Sequence, residues 1–173
     1  MTYMIGINPG QKYSSDDIVK GNGPGAGTHG KTADGKEYVM CVIAAAQNLL
    51  NGHLVTIDAA FAATIAAAGP PGPNAAQRLG VVRLGSSVIA TVTASASEYV
   101  WVQIFGVGSV LATASTLPNV TLTMSAAAGT VDDAVATASG VIDGLVLTAT
   151  TAASGITAAI LTYPRFTTPG QPG

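Results

Sequence analysis

In SEYVWVQIF (residues 97–105), β-branched and aromatic residues fill every position from Tyr99 to Phe105 except Gln103, the composition of a β-strand. At the two-residue period of a strand, Val100, Val102 and Ile104 share one face, and Tyr99, Trp101 and Phe105 share the other. Both faces are apolar. Such a strand is either central, with protein on both sides, or its aromatic face receives another subunit. Tyr99, Trp101 and Phe105 are therefore the candidate interface residues, with absorption into the chain's own core as the alternative.

Similar short runs recur on either side: EYVMCVI (37–43), HLVTID (53–58), RLGVVRL (78–84), SVIATVT (87–93), NVTLTM (119–124), GVIDGLVLTAT (140–150) and GITAAILTY (155–163). Turn formers separate them, including NG at 51–52, GPPGPN at 69–74, LPN at 117–119 and SG at 154–155. This spacing predicts a mainly β fold, an antiparallel sandwich or barrel. The alanine-rich stretches IAAAQNLL (43–50) and AAFAATIAAA (59–68) suit one or two short helices, or glycine-flanked strands and turns.

The texture differs at the N-terminus. Eight of the 16 charged residues lie within positions 1–37, and six glycines fall from Gly21 to Gly35. Residues 1–36 thus read as an irregular glycine-rich arm, 37–165 as the β body and 166–173 as a flexible tail. The chain has 173 residues, enough for one main core.

Charged residues make up 9% of the chain against roughly 25% in ordinary domains, so much of the surface is expected to be covered by something. The seven Lys and Arg are scattered and the net charge is −2, which disfavours nucleic-acid binding. Residues 99–131 carry no charge, yet Gln103, Pro118, Asn119 and an alternating pattern argue against a membrane span. The opening MTYMIGINPGQKYSSDD lacks the pattern of a signal peptide. Cys41 is the single cysteine and sits in an apolar run, as a small core residue would.

GAGTHGKT (25–32) matches G-x-x-x-x-G-K-[ST], in which backbone N–H groups cradle phosphates, Lys31 would reach the β and γ oxygens and Thr32 would hold magnesium. Its flanks fail the pattern: KYSSDDIVKGNGP is no buried strand, and Asp34-Gly35 places a turn where the helix should begin. LVTID (54–58) resembles a strand ending in a magnesium ligand, but Arg78, Arg83 and Arg165 are the only arginines available for phosphoryl charge. His29 and His53 read as loop histidines without ligand-spaced partners, and no G-x-S-x-G elbow occurs. Asp132 and Asp133 suit weak calcium binding, an acid–base pair or a turn; the turn explains them with fewest assumptions. No catalytic residue, cofactor or metal is expected.

Three stretches carry a family resemblance: ADGKEYVMCVIAAAQNLLNGHLVTID (33–58), LGVVRLGSSVIATVTASASEYVWVQIFG (79–106) and GTVDDAVATASGVIDGLVLTATTAASGITAAILTYP (129–164). They resemble capsid decoration, or cement, proteins of tailed bacteriophages. The aromatic-Val-Trp-Val-Gln strand followed by glycine is the most specific of the words. The resemblance implies a small, mostly β protein on the exterior of an icosahedral head, made in the host cytoplasm. It also implies self-association, commonly as a homotrimer, with the major capsid protein as partner and neither nucleic acid nor membrane. In that reading GTHGKTADGKEYV is a glycine-rich loop leading into the first body strand. A head-fibre or tail module contacting a receptor or glycan is the alternative, and a P-loop enzyme the more distant one.

Overall fold

The structure is a computed structural model and describes residues 3–43, 45–67, 78–84, 91–94, 97–133 and 140–167. The described residues are mainly β, with one short helix. In chain order the elements are β1 (Tyr3–Ile5), α1 (Ser15–Val19), β2 (His29–Lys31), β3 (Glu37–Ile43), β4 (Gln47–Leu50), β5 (Leu54–Ile57), β6 (Ala62–Ile65) and β7 (Arg78–Val82). They continue as β8 (Thr91–Ala94), β9 (Tyr99–Ala112), β10 (Leu122–Met124), β11 (Val131–Asp132), β12 (Val141–Leu147) and β13 (Gly155–Thr167).

The 14-residue strand β9 organises everything else. Its first half lies between β3 and β7, with Val102 opposite Val39 on one side and Val82 on the other. Because β3 also pairs with β6, β6 with β5 and β5 with β7, the five strands β9-β3-β6-β5-β7 close into a ring. The second half of β9 pairs with β13, and the ladder β13-β12-β10-β11 returns to Ala112 through Val131. Two small barrels therefore share one strand.

The mainly β fold predicted from the strand spacing is present, in a mixed sheet: most pairs are antiparallel, and β3–β6 and β9–β11 are parallel, one pair in each ring. A closed ring with five members cannot alternate direction all the way round. At least one neighbouring pair must run the same way. A third parallel pair, β1–β2, lies outside the rings.

Burial follows the strand period. Val39, Cys41, Val55, Ile57, Val100, Val102 and Ile104 fill the first barrel. Val110, Ala112, Leu122, Met124, Ile142, Leu145, Leu147, Ala159, Leu161 and Phe166 fill the second. Leu54, Leu79 and Val81, on the opposite face of β5 and β7, also belong to the second core, so these strands form a wall between the two. A side chain such as Leu79 contributes about 1.5–3 kcal/mol on burial.

Within the alanine-rich stretches Gln47–Leu50 is strand β4 and Ala62–Ile65 is strand β6, and no helix occurs among their described residues. Asp58 accepts the amides of Ala60 and Ala62 at 2.8 Å each, and Phe61 takes a positive φ of 58°, which stops a helix before it starts. The Gln47 amide then ties β4 to β6, donating to the Ala63 carbonyl at 3.0 Å and accepting from the Ile65 amide at 2.8 Å.

Most of residues 1–36 is irregular, yet the segment is seated on the body. Tyr13 exchanges backbone hydrogen bonds of 3.0 and 2.7 Å with Tyr99, and Thr28 accepts from the Met40 amide at 2.8 Å. The helix α1 begins in a capping box, with Ser14 and Asp17 satisfying each other's backbone amides. Hydrogen bonding from Ser14 holds the Asp17 carboxyl below its ordinary pKa. No helix among the described residues is long and apolar enough to cross a membrane.

Candidate functional site

The three aromatic residues of β9 do not form one exposed patch. Trp101 is 1% exposed and packs with Tyr38 and Met40 beneath Ile7 and Tyr13 of the N-terminal segment. Tyr99 edges the same cluster, while Phe105 lies beyond Gln103 and meets the Tyr163 ring at 5.2 Å. The backbone comes close at Gly30, where an added Cβ would fall 2.9 Å from the Trp101 ring. Trp101 is thus covered by the chain's own arm.

GAGTHGKT is built as the start of a hairpin. His29, Gly30 and Lys31 form β2 against Val39, Tyr38 and Glu37, and the chain turns through Asp34 and Gly35. Lys31 pairs with Glu37 at 3.0 Å, and the Thr32 hydroxyl donates to Asp34. Asp34 also bonds Lys36, and these contacts hold its carboxyl at about 2. A phosphate cradle needs a helix here, and β2 is followed by a turn and β3. Asp58 at the end of LVTID is likewise occupied by its own turn.

His53 is buried beside the NG turn, accepting the Leu50 amide on Nδ1 at 3.0 Å, and burial lowers its pKa. It is a structural residue and not the loop histidine expected. Asp133 accepts the Leu117 amide at 2.9 Å, a loop-fixing bond, and Asp132 lies in β11. Burial pushes the Cys41 thiol up to about 12, as fits a core cysteine. No group of three or more metal-ligating side chains occurs among the described residues.

Two features emerge only from the register. The first is an apolar row on the outside of the second barrel: Val107 faces Ile160 across β9–β13, and Ile160 faces Val146 across β13–β12. Their exposures are 62%, 42% and 38%. The flanking positions Ser109, Ala158 and Thr162 are uncharged too.

The second is a cavity of about 400 Å³ at one end of the first barrel. Val39, Ile57, Leu79 and Ile104 supply apolar lining, and His29, Arg78, Arg165, Asp143 and Tyr163 the polar part. Arg165 stands directly opposite Arg78 across β13–β7 and opposite Asp143 across β13–β12. The Arg165 guanidinium reaches one Asp143 oxygen at 3.4 Å; Arg78 donates to the Asp58 carbonyl at 2.7 Å and lies 4.6 Å over the Phe61 ring. Reading the sequence missed both features, because 78, 143 and 165 become neighbours only once three strands are aligned.

No family model, curated protein or solved structure matches the chain.

Proposed function

We propose that the chain is a structural virion protein that binds the outer surface of a tailed-phage capsid and stabilises the assembled head without catalysis. The observation that carries this reading is the exposed apolar row on the outer face of the second barrel, Val107, Ile160 and Val146 in register. Such a face packs against protein with little ion desolvation, the property expected of a contact between copies of this chain or with the major capsid protein. A protein that binds only the assembled shell stabilises it by RT ln(1 + [L]/Kd) at each site, and many sites multiply the effect. Homotrimer formation at symmetry axes is part of the same proposal.

Sedimentation of filled heads tests it. The polypeptide should co-migrate at fixed stoichiometry, and Ile160→Lys, which places a charge on an exposed position, should abolish co-migration without unfolding the protein. A soluble monomer that ignores purified shells at micromolar concentration would refute the reading. The fibre or tail alternative is favoured by one feature: Tyr163, half-exposed beside the cavity and stacked on Phe105, is the kind of aromatic that contacts a sugar. Recovery of the protein with tails instead of heads would select it.

A further inference from the structure

We propose that the cavity at the end of the first barrel binds an apolar acid, a single carboxylate on a short hydrocarbon group, held by the facing pair Arg78 and Arg165. Like charges directly opposite on neighbouring strands destabilise a sheet, and Arg78 and Arg165 are partners in the β7–β13 register and both line the cavity, the Arg78 guanidinium turned toward Asp58 and Phe61 and that of Arg165 toward Asp143. The neighbouring carboxylate offsets only part of that. Asp143 is the one acidic side chain among the lining residues, and it meets Arg165 through a single oxygen at the long distance of 3.4 Å. Two guanidinium charges less one carboxylate leave a surplus of one positive charge.

Nearby acids are engaged elsewhere. Asp58 is turned to the amides of Ala60 and Ala62, and Glu37 binds Lys31 and the Tyr163 hydroxyl. The guanidiniums themselves retain donors: among the described residues Arg78 uses one nitrogen on the Asp58 carbonyl and Arg165 bonds Asp143. A guanidinium fork fits a carboxylate through two parallel bonds. Next to it lie Val39, Ile57, Leu79, Ile104 and Pro164, so the remainder of the ligand must be apolar. About 400 Å³, at roughly 30 Å³ per water-sized group, accommodates about a dozen non-hydrogen atoms. Octanoate matches that size and charge.

The test is calorimetric titration of the full chain with octanoate, using octanol and acetate as controls for head and tail. Octanoate should bind, with each control weaker by about tenfold or more. Arg165→Gln, at a half-exposed position, should weaken octanoate about tenfold, and relief of the opposed charges should leave the melting temperature at or above that of the parent. Asp143→Asn removes the competing carboxylate and should tighten binding. N-acetylleucine, which presents its acid as a polypeptide C-terminus does, separates two sources: tighter binding than octanoate assigns the ligand to a chain end, weaker binding to a free fatty acid. Equal binding of octanol and octanoate, or an unchanged affinity in Arg165→Gln, overturns the proposal. So does an affinity for both acids weaker than about 10 mM.

Discussion

Gln103 is 0% exposed at the point where β9 leaves one barrel for the other, and its amide nitrogen donates to the carbonyls of Phe105, Gly106 and Val107 at 3.2, 3.4 and 3.0 Å. Gly106 takes a φ of +94°, and beside it the β9–β3 register shifts between Phe105 and Gln103 while pairing with β13 continues through Phe105. Replacing Gln103 with Met keeps the volume and removes the donor. One NH₂ group makes at most two good bonds, each worth about 0.5–1.5 kcal/mol net, and orphaning a buried carbonyl adds about 1–3 kcal/mol. Met also removes Oε1, which is buried without a hydrogen-bond partner, and this relief offsets part of the loss, so we expect about 1–3 kcal/mol of destabilisation, or a melting temperature lower by about 2–12 °C for a chain of this length. Gln103→Ala should cost more, by the cavity it opens. A Cβ on Gly108 would fall 2.7 Å from the Gln103 Oε1, so Gly108→Ala alone should destabilise, while the Gln103→Ala/Gly108→Ala pair should lose less than the sum. Urea unfolding of the four proteins measures the coupling. A Met variant within about 0.5 kcal/mol of the parent, with additive effects in the cycle, would show that Gly106 alone sets the register shift.

Three further outcomes follow from buried groups. His53 has a lowered pKa, so its contribution is complete above the unfolded value of 6.5 and is lost as pH falls toward the folded value; stability measured from pH 7.5 to 5 should drop, and His53→Gln should lack that step. Cys41, with its thiol at about 12 and no exposure, should react with a thiol reagent in denaturant but not in the native protein at pH 8. At Gly80 a Cβ would sit 2.3 Å from a Val102 methyl and 3.0 Å from the Gln103 carbonyl, so Gly80→Ala should cost about 1–3 kcal/mol in thermal unfolding.

The strands were legible where composition alone specifies them. SEYVWVQIF announces a doubly covered strand, and Val100 and Trp101 do bury opposite faces of β9. What covers the aromatic side was not legible, because the covering residues Ile7 and Tyr13 come from a segment whose glycines and charges look like solvent-exposed chain. The alanine-rich strands were ambiguous for a related reason. Ala63 and Ala66 are buried in the two cores, so their small size belongs to packing that looks like helix propensity in the sequence. The parallel pairs and the facing arginines depend on ring closure and register, neither of which leaves a local signal.

If the protein binds a capsid as proposed, the seated arm sets a condition on that contact. Ile7 and Tyr13 already cover Trp101, Tyr38 and Met40, so an arm that reached instead to a neighbouring capsid subunit would have to leave that cluster. Uncovering one such side chain costs about 1.5–3 kcal/mol, which the new contact must exceed. Two cases are therefore separable. If the arm stays seated, removing residues 1–27 should destabilise the isolated protein, and Trp101 emission in the intact protein should be the same free and head-bound. If the arm transfers, Trp101 emission should change on binding, and its solvent quenching in the free protein should be low before the change. A truncated protein as stable as the full chain, with Trp101 still shielded from quencher, contradicts both cases and would mean that Ile7 and Tyr13 do not cover the strand in solution.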